Sequence, residues 1–273
     1  MAIRQGELHL IMVTQTDASR SWRPVFLISC LFTAALLLSS WWWPVTREYW
    51  DALDAAAFYW LHGSILDGGN DWRVFWAYAN TRPIDGISAL LFASIFFTWI
   101  WRGGWSSAPE RIAEGFFLFG VTVMVLHVSS NVIFTFDRLS PSPVLEPVFR
   151  LSEVVTSVKV KDVSGNSFPG DHGTAVSLFT LFIWAFSGWK RGVAALVLAV
   201  LAVLPRLMGG AHWITDLAVG SASIALVTAG LTLGTPFAKW CIAFVALALR
   251  KAVSVGVLLG VVPESASKPP SSN

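Results

Sequence analysis

Six apolar runs constrain this chain more than anything else in it: Val25 to Trp43, Ile84 to Trp101, Phe116 to Phe136, Gly173 to Phe186, Val193 to Leu207 and Leu217 to Leu233. A bilayer core is roughly 30 Å thick, which about 20 apolar helical residues cross, and lipid offers no partner to an unpaired backbone amide. The expected fold class is therefore all-α, a six-transmembrane-helix bundle. The fourth and fifth runs are short for a crossing, so each is expected to continue into the polar motif beside it, where protein surrounds the polar end. The composition, 55% apolar and 13% charged, excludes an ordinary soluble domain.

Met1 to Arg23 holds both signs of charge and no apolar run, so the first span is expected to be a retained signal-anchor helix rather than a cleaved leader. Cys30 and Cys241 both sit in apolar surroundings and imply no disulfide framework. With the N-terminus inside, the inner segments carry 11 cations against 5 acids and the outer ones 8 against 12, so the positive-inside rule places both termini in the cytoplasm. A net charge of +2 gives no support to nucleic-acid binding. Residues 1–235 are read as the membrane domain. Within it, Arg47 to Ile84 forms two interfacial helices on the outer side, with Trp50, Leu53, Ala57, Trp60 and Leu61 at helical spacing. Residues 236–262 are expected to form an amphipathic helix on the inner surface, because Lys239, Arg250 and Lys251 interrupt the apolar run. The Ser/Pro-rich tail, 263–273, is expected to be disordered. Tryptophans at span ends, Trp41 to Trp43, Trp99, Trp101 and Trp105, fit headgroup-level belts.

Two polar motifs stand at the outer ends of these spans. Phe168-Pro169-Gly170-Asp171-His172-Gly173 precedes the fourth run. Glycine and proline there set a turn into a helix whose first amides and dipole favour an anion, with His172 placed to give a proton to a leaving oxygen. Pro205-Arg206 through Asp216 joins the fifth run to the sixth. Arg206 offers a fixed, permanently charged fork for phosphate oxygens and needs an anionic partner if buried. His212 and Asp216 lie four apart, on one helical face, so the carboxylate can hold one imidazole nitrogen and leave the other as a nucleophile. His127 and Asn131, inside the third span, are expected to hydrogen-bond between helices. His9 and His62 have no convergent partners in the sequence. No dense cluster has metal-ligand spacing, so a metal-free, cofactor-free mechanism is expected.

The turn Pro169-Gly170-Asp171-His172, followed by Arg206, His212 and Asp216, resembles the second and third signature motifs of the type 2 phosphatidic acid phosphatase superfamily. Asp171 stands where that family has glycine. Of the first motif, Arg138 matches the arginine, Asn131 occupies the lysine position and Leu139 the proline position; Lys161 is the candidate for the missing cation. Within the superfamily, Lys161-Asp162 leading to Ser167 through Gly173, with Asn80, Arg82, Asp85 and the segments starting at Arg138 and Arg150, is similar to the LpxT-type lipid A phosphotransferases over most of residues 24 to 235. Asn80, Arg82 and Asp85 are read as caps and anchors of the second span, outside the catalytic set.

The resemblance implies a donor, undecaprenyl diphosphate, and an acceptor, lipid A, on the periplasmic side of a bacterial inner membrane. It further implies attack by His212, oriented by Asp216, on the distal phosphorus. Arg206, Arg138, Lys161, Gly170 and Asp171 then surround the phosphate, and a phosphohistidine passes it on. Water as the second nucleophile would make the same pocket a lipid phosphate phosphatase, an alternative the motifs leave open.

Overall fold

The computed structural model describes residues 22–102, 104–146 and 150–259. The Ser/Pro-rich tail and nearly all of Met1 to Arg23, including His9, lie outside these.

The described chain is helical, with no strand among the described residues. Helix α1 (Pro24–Trp42) starts on a proline and stops before another. Trp43 is extended because the ring of Pro44 excludes the helical conformation from the residue before it, and Pro44 then opens α2 (Pro44–Asp67). Gly68, on whose missing Cβ the Trp72 ring packs at 2.1 Å, and Gly69, at φ +73°, turn the chain into α3 (Gly69–Ala79). Helix α4 (Arg82–Arg102) follows, then α5 (Gly104–Val128), which ends in a π-helical turn at Ser129–Ile133. A loop with one helical turn, α6 (Leu151–Val154), leads to α7 (Asp171–Ser187) and α8 (Trp189–Met208). A second π turn at Asp216–Ser221 runs into α9 (Ala222–Leu233), and α10 (Phe237–Leu258) closes the described chain.

Five helical segments are long and apolar enough to cross a membrane: Pro24–Trp42, Arg82–Arg102, Ser107–Ile133, Trp189–Met208 and Asp216–Leu233. Helix α7, the expected fourth span, has 17 residues, about 25 Å at 1.5 Å per residue. It is the central element instead, packed against α4, α5, α8, α9 and the second π turn. Both short runs do extend into their motifs: α7 begins at Asp171 and α8 passes Arg206.

Helix α2 buries Asp54, Phe58, His62 and Ile65, while Leu53 and Trp60 of the expected apolar stripe are exposed. A helix surrounded by lipid or interface does better with its polar groups turned toward protein partners. His62, unpartnered in the sequence, lies 3.1 Å by Nδ1 from the Met208 carbonyl and stacks on Phe58. His127 and Asn131 bond to each other rather than to another helix, the Asn131 amide donating to the His127 carbonyl at 2.9 Å, because four residues apart they share one face.

Helix α10 lies at the end of the bundle away from the Phe168 turn. Phe237 touches Phe117, and Arg250 pairs with Glu110, seven residues nearer the start of α5.

Candidate active site

The site is assembled at the end of the bundle where α1 stops, α4 and α7 start and α8 stops. The Ser167–Gly173 turn is held first by apolar contacts. Phe168 is fully buried, stacks on Trp41 with ring centroids 4.4 Å apart and meets Phe134 edge-on at 5.3 Å. Gly170 is in the left-handed region at φ +80°, where a side chain would be strained, and caps α7. A Cβ on Gly173 would lie 2.2 Å from the Leu217 side chain and 2.7 Å from Ser221 Oγ, so only glycine lets the first turn of α7 rest on the second π turn. The Ser221 hydroxyl lies 2.8 Å from the Pro169 carbonyl and 3.1 Å from that of Gly170, tying the two motifs together.

His212 stands just beyond Gly210, which has φ +75°. Its Nδ1 is 2.9 Å from the Ser167 carbonyl and 3.2 Å from Asp216 Oδ2. Both neighbours are acceptors, so Nδ1 carries the proton and Nε2 is the lone-pair nitrogen of the neutral ring. Nε2 has no hydrogen-bond partner among the described residues. The expected His212–Asp216 contact is present, but a backbone carbonyl of the other motif is the nearer acceptor. Asp216 is wholly buried and also accepts the Trp213 N–H at 2.8 Å.

Arg138 is engaged differently from the expectation. Its guanidinium donates to Asp216 Oδ1, to Asp54 Oδ2 at 2.7 Å and to Thr215 Oγ1 at 3.0 Å. Asp54 in turn accepts the Thr215 N–H at 2.9 Å. One cation thus serves two buried carboxylates, and burial still pushes the Asp54 carboxyl above its ordinary pKa, against the Thr215 and Arg138 contacts that favour the anion. Arg138 is a clamp on the carboxylate that orients His212.

Arg206 also finds its counterion in protein. It donates to the Asp85 carboxylate, to the Asn80 side chain and, at 3.3 Å and 3.4 Å, to the Asn80 and Lys161 carbonyls. Asn80 is completely buried and packs where a Cβ on Gly209 would be, at 2.1 Å from its Nδ2. His172, in the first turn of α7, has Nε2 3.2 Å from the Ala202 carbonyl and 4.0 Å from Asp85 Oδ1. Lys161 reaches the same group: its N–H donates to the Asn80 carbonyl at 3.0 Å. Desolvation and the Arg206 charge push its ammonium below an ordinary lysine pKa, Arg82 adding to this and Asp85 and Asp171 opposing. Asp171 itself is exposed and accepts the Ser130 hydroxyl.

Asp85 and Asn80, read from the sequence as anchors of the second span, are therefore the partners of Arg206. Asp54, Thr215 and the Ser167 carbonyl were not legible as site groups. The signal for Asp54 was an acid on a helix whose neighbours are largely apolar, since ionisable groups in such settings are paired and functional by default.

A model of the PAP2 superfamily matches residues 115–241, which include both histidines, Arg138, Lys161 and Arg206. Asp54, Asn80 and Asp85 precede the matched region. The chain is 33% identical over 209 residues to Lipid A 1-diphosphate synthase of Escherichia coli (strain K12), the match covering 76% of this chain and 86% of that protein. No solved structure shows a significant match.

Proposed function

From a chain that belongs to the PAP2 superfamily, and so is an enzyme acting on lipid phosphates, we infer a phosphotransferase that moves the distal phosphate of undecaprenyl diphosphate to a phosphate of lipid A. The observation that carries this reading is His212: a ring whose Nδ1 is held by two acceptors from both motifs while Nε2 stays free. The similarity to a lipid A 1-diphosphate synthase supports the choice of acceptor.

In the first step the Nε2 lone pair attacks the distal phosphorus and the bond to the bridging oxygen breaks. Undecaprenyl phosphate leaves with a proton from His172. The imidazole, now bonded to phosphorus, is cationic, and the Asp216 carboxylate, 3.2 Å from Nδ1 of the same ring, stabilises that charge as Arg138 holds Asp216 in place. In the second step an oxygen of the lipid A phosphate attacks the same phosphorus, giving its proton to His172, the P–N bond breaks and its electron pair returns to Nε2. Arg206 and Lys161 supply positive charge where negative charge gathers on the phosphoryl oxygens, and the first amides of α7 add donors at Gly170–Gly173.

An apolar groove of about 660 Å³ supports a lipid donor. It runs between α1, α5 and α9 from Ser129 and Phe134, beside the Ser130–Asp171 contact, to Thr235, and fits a hydrocarbon chain. We place the site on the periplasmic side, with α7 as a sixth, protein-surrounded crossing, α2 and α3 at the outer interface, α10 at the inner one and both termini in the cytoplasm. The cation-rich loops at the opposite end, around Arg102, Arg111, Lys190 and Arg191, support this orientation.

Mass spectrometry of lipid A incubated with the purified protein and undecaprenyl diphosphate tests the reading. Gain of one phosphate by lipid A is the expected result; free phosphate with unchanged lipid A would assign a phosphatase instead. The lowered Lys161 pKa adds a pH signature. Its charge is present below that pKa and lost above it, so the alkaline fall of activity comes at lower pH than an ordinary lysine would give. Lys161→Arg is expected to move that fall upward, and a pH–rate profile unchanged by the substitution would remove Lys161 from the phosphate site.

A further inference from the structure

The loop carrying Lys161 faces a second cavity. It measures about 730 Å³ and is lined by the cations Arg82, Arg150, Lys159 and Lys161 and one acid, Asp162. That volume falls within the roughly 300–1,000 Å³ of small-ligand clefts. Asp162 is only 2% exposed and already committed, accepting the Ser152 N–H at 2.8 Å with Arg150 at 3.6 Å. Arg82 and Lys159 are exposed and have no ion pair among the described residues.

The distribution of committed charge is uneven across this end of the molecule. At the catalytic histidines, Arg206 is matched by Asp85 and Arg138 by Asp54 and Asp216. The uncommitted positive charge lies next door, in the cavity, on Arg82 and Lys159, while Arg150 there is loosely paired with Glu153 at 3.5 Å and Asp162 at 3.6 Å. Lys161 joins the two places, because its carbonyl accepts from Arg206 and its main-chain N–H donates to Asn80, while the residue also lines the cavity. A reaction between two phosphorylated lipids brings more negative charge to the site than the transferred group alone, and Arg and Lys are the side chains that hold phosphate oxygens.

We propose that this cavity is the acceptor subsite, where Arg82, Arg150 and Lys159 hold the anionic groups of a phosphorylated sugar headgroup beside the catalytic phosphate. The subsite rests on the phosphotransferase reading for its meaning, but its test does not depend on turnover. The full chain, in nanodiscs, is titrated with a bis-phosphorylated glucosamine disaccharide lacking acyl chains, and separately with inorganic phosphate. In Arg82→Gln/Lys159→Gln the disaccharide is expected to bind roughly tenfold more weakly or worse, with inorganic phosphate binding as in the parent. Arg82→Lys/Lys159→Arg, which keeps the charge, is expected to retain disaccharide binding. Equal disaccharide affinity in the parent and the glutamine variant, or no binding by the parent, overturns the subsite. An equal loss for both ligands also overturns it, since the cations would then belong to the catalytic phosphate or to the donor. A parent protein that binds the disaccharide yet only releases free phosphate would sink the transferase reading and leave the subsite standing.

Discussion

Replacing His212 by alanine is expected to lower phosphate transfer roughly a thousandfold or more while the protein still folds. The fold survives because the one charged group His212 leaves behind keeps other partners: Asp216 still accepts the Trp213 N–H at 2.8 Å and the Arg138 guanidinium, and the Ser167 carbonyl that loses its contact is neutral. The chemistry does not survive, because among the described residues no other histidine ring at this end has one nitrogen within hydrogen-bond distance of a carboxylate and the other without a partner; His172 Nε2 lies 4.0 Å from Asp85. A rapid-quench experiment with donor labelled in its distal phosphate reads this directly. The parent protein is expected to carry acid-labile label, and His212→Ala none. His172→Ala should still become labelled, more slowly, and should recover most when the leaving group needs no proton. Label on the His212→Ala protein would exclude His212 as nucleophile.

Arg138→Met is expected to be the most destabilising single change at this site, by about 3–5 kcal/mol, because it strands two buried carboxylates that had shared one cation. Asp54 and Asp216 are 1% and 0% exposed, so water cannot replace the guanidinium. The loss depends on pH in a defined direction. Asp54 already has a raised pKa from burial, and removing Arg138 raises it further. A native-state pKa above the unfolded one adds stability when the pH is low and loses it as the pH rises, so the variant should regain stability on acidification. Adding Asp54→Asn should restore part of the loss at neutral pH. Thermal unfolding of the single and double variants checks both points. If Arg138→Met melted like the parent and only raised the KM for donor, Arg138 would be a phosphate ligand and not a clamp.

The same arginine shows where sequence reasoning stops. Arg138 was legible as a site residue from its place in a motif, but motif position does not tell a phosphate ligand from a carboxylate clamp. That distinction needed Asp54, which lies 84 residues earlier on α2. Asn80 and Asp85 were visible as polar groups at the start of a span and were read as its anchors. They hold Arg206 from more than 120 residues away. His212 and Asp216 were paired correctly because four residues on a helical turn is a local relation. The nearer partner of His212, the Ser167 carbonyl, is a backbone atom and leaves no mark in composition.

What the sequence by itself determined is what short-range physics controls: apolar runs long enough for lipid, prolines and glycines that start and stop them, and two motifs whose residue types suit phosphate chemistry. The class of fold follows from those, as does the choice of His172 and His212 as candidate site residues. What only the tertiary structure decided is which charges neutralise one another. The cations at this end look alike in the sequence, yet Arg138 is matched by two buried acids and Arg206 by the half-buried Asp85, while Arg82 and Lys159 have no ion pair among the described residues. Charge pairing depends on distance in space and on the exclusion of water, and both are set by how α2, α4, α7 and α8 pack around the Phe168 turn.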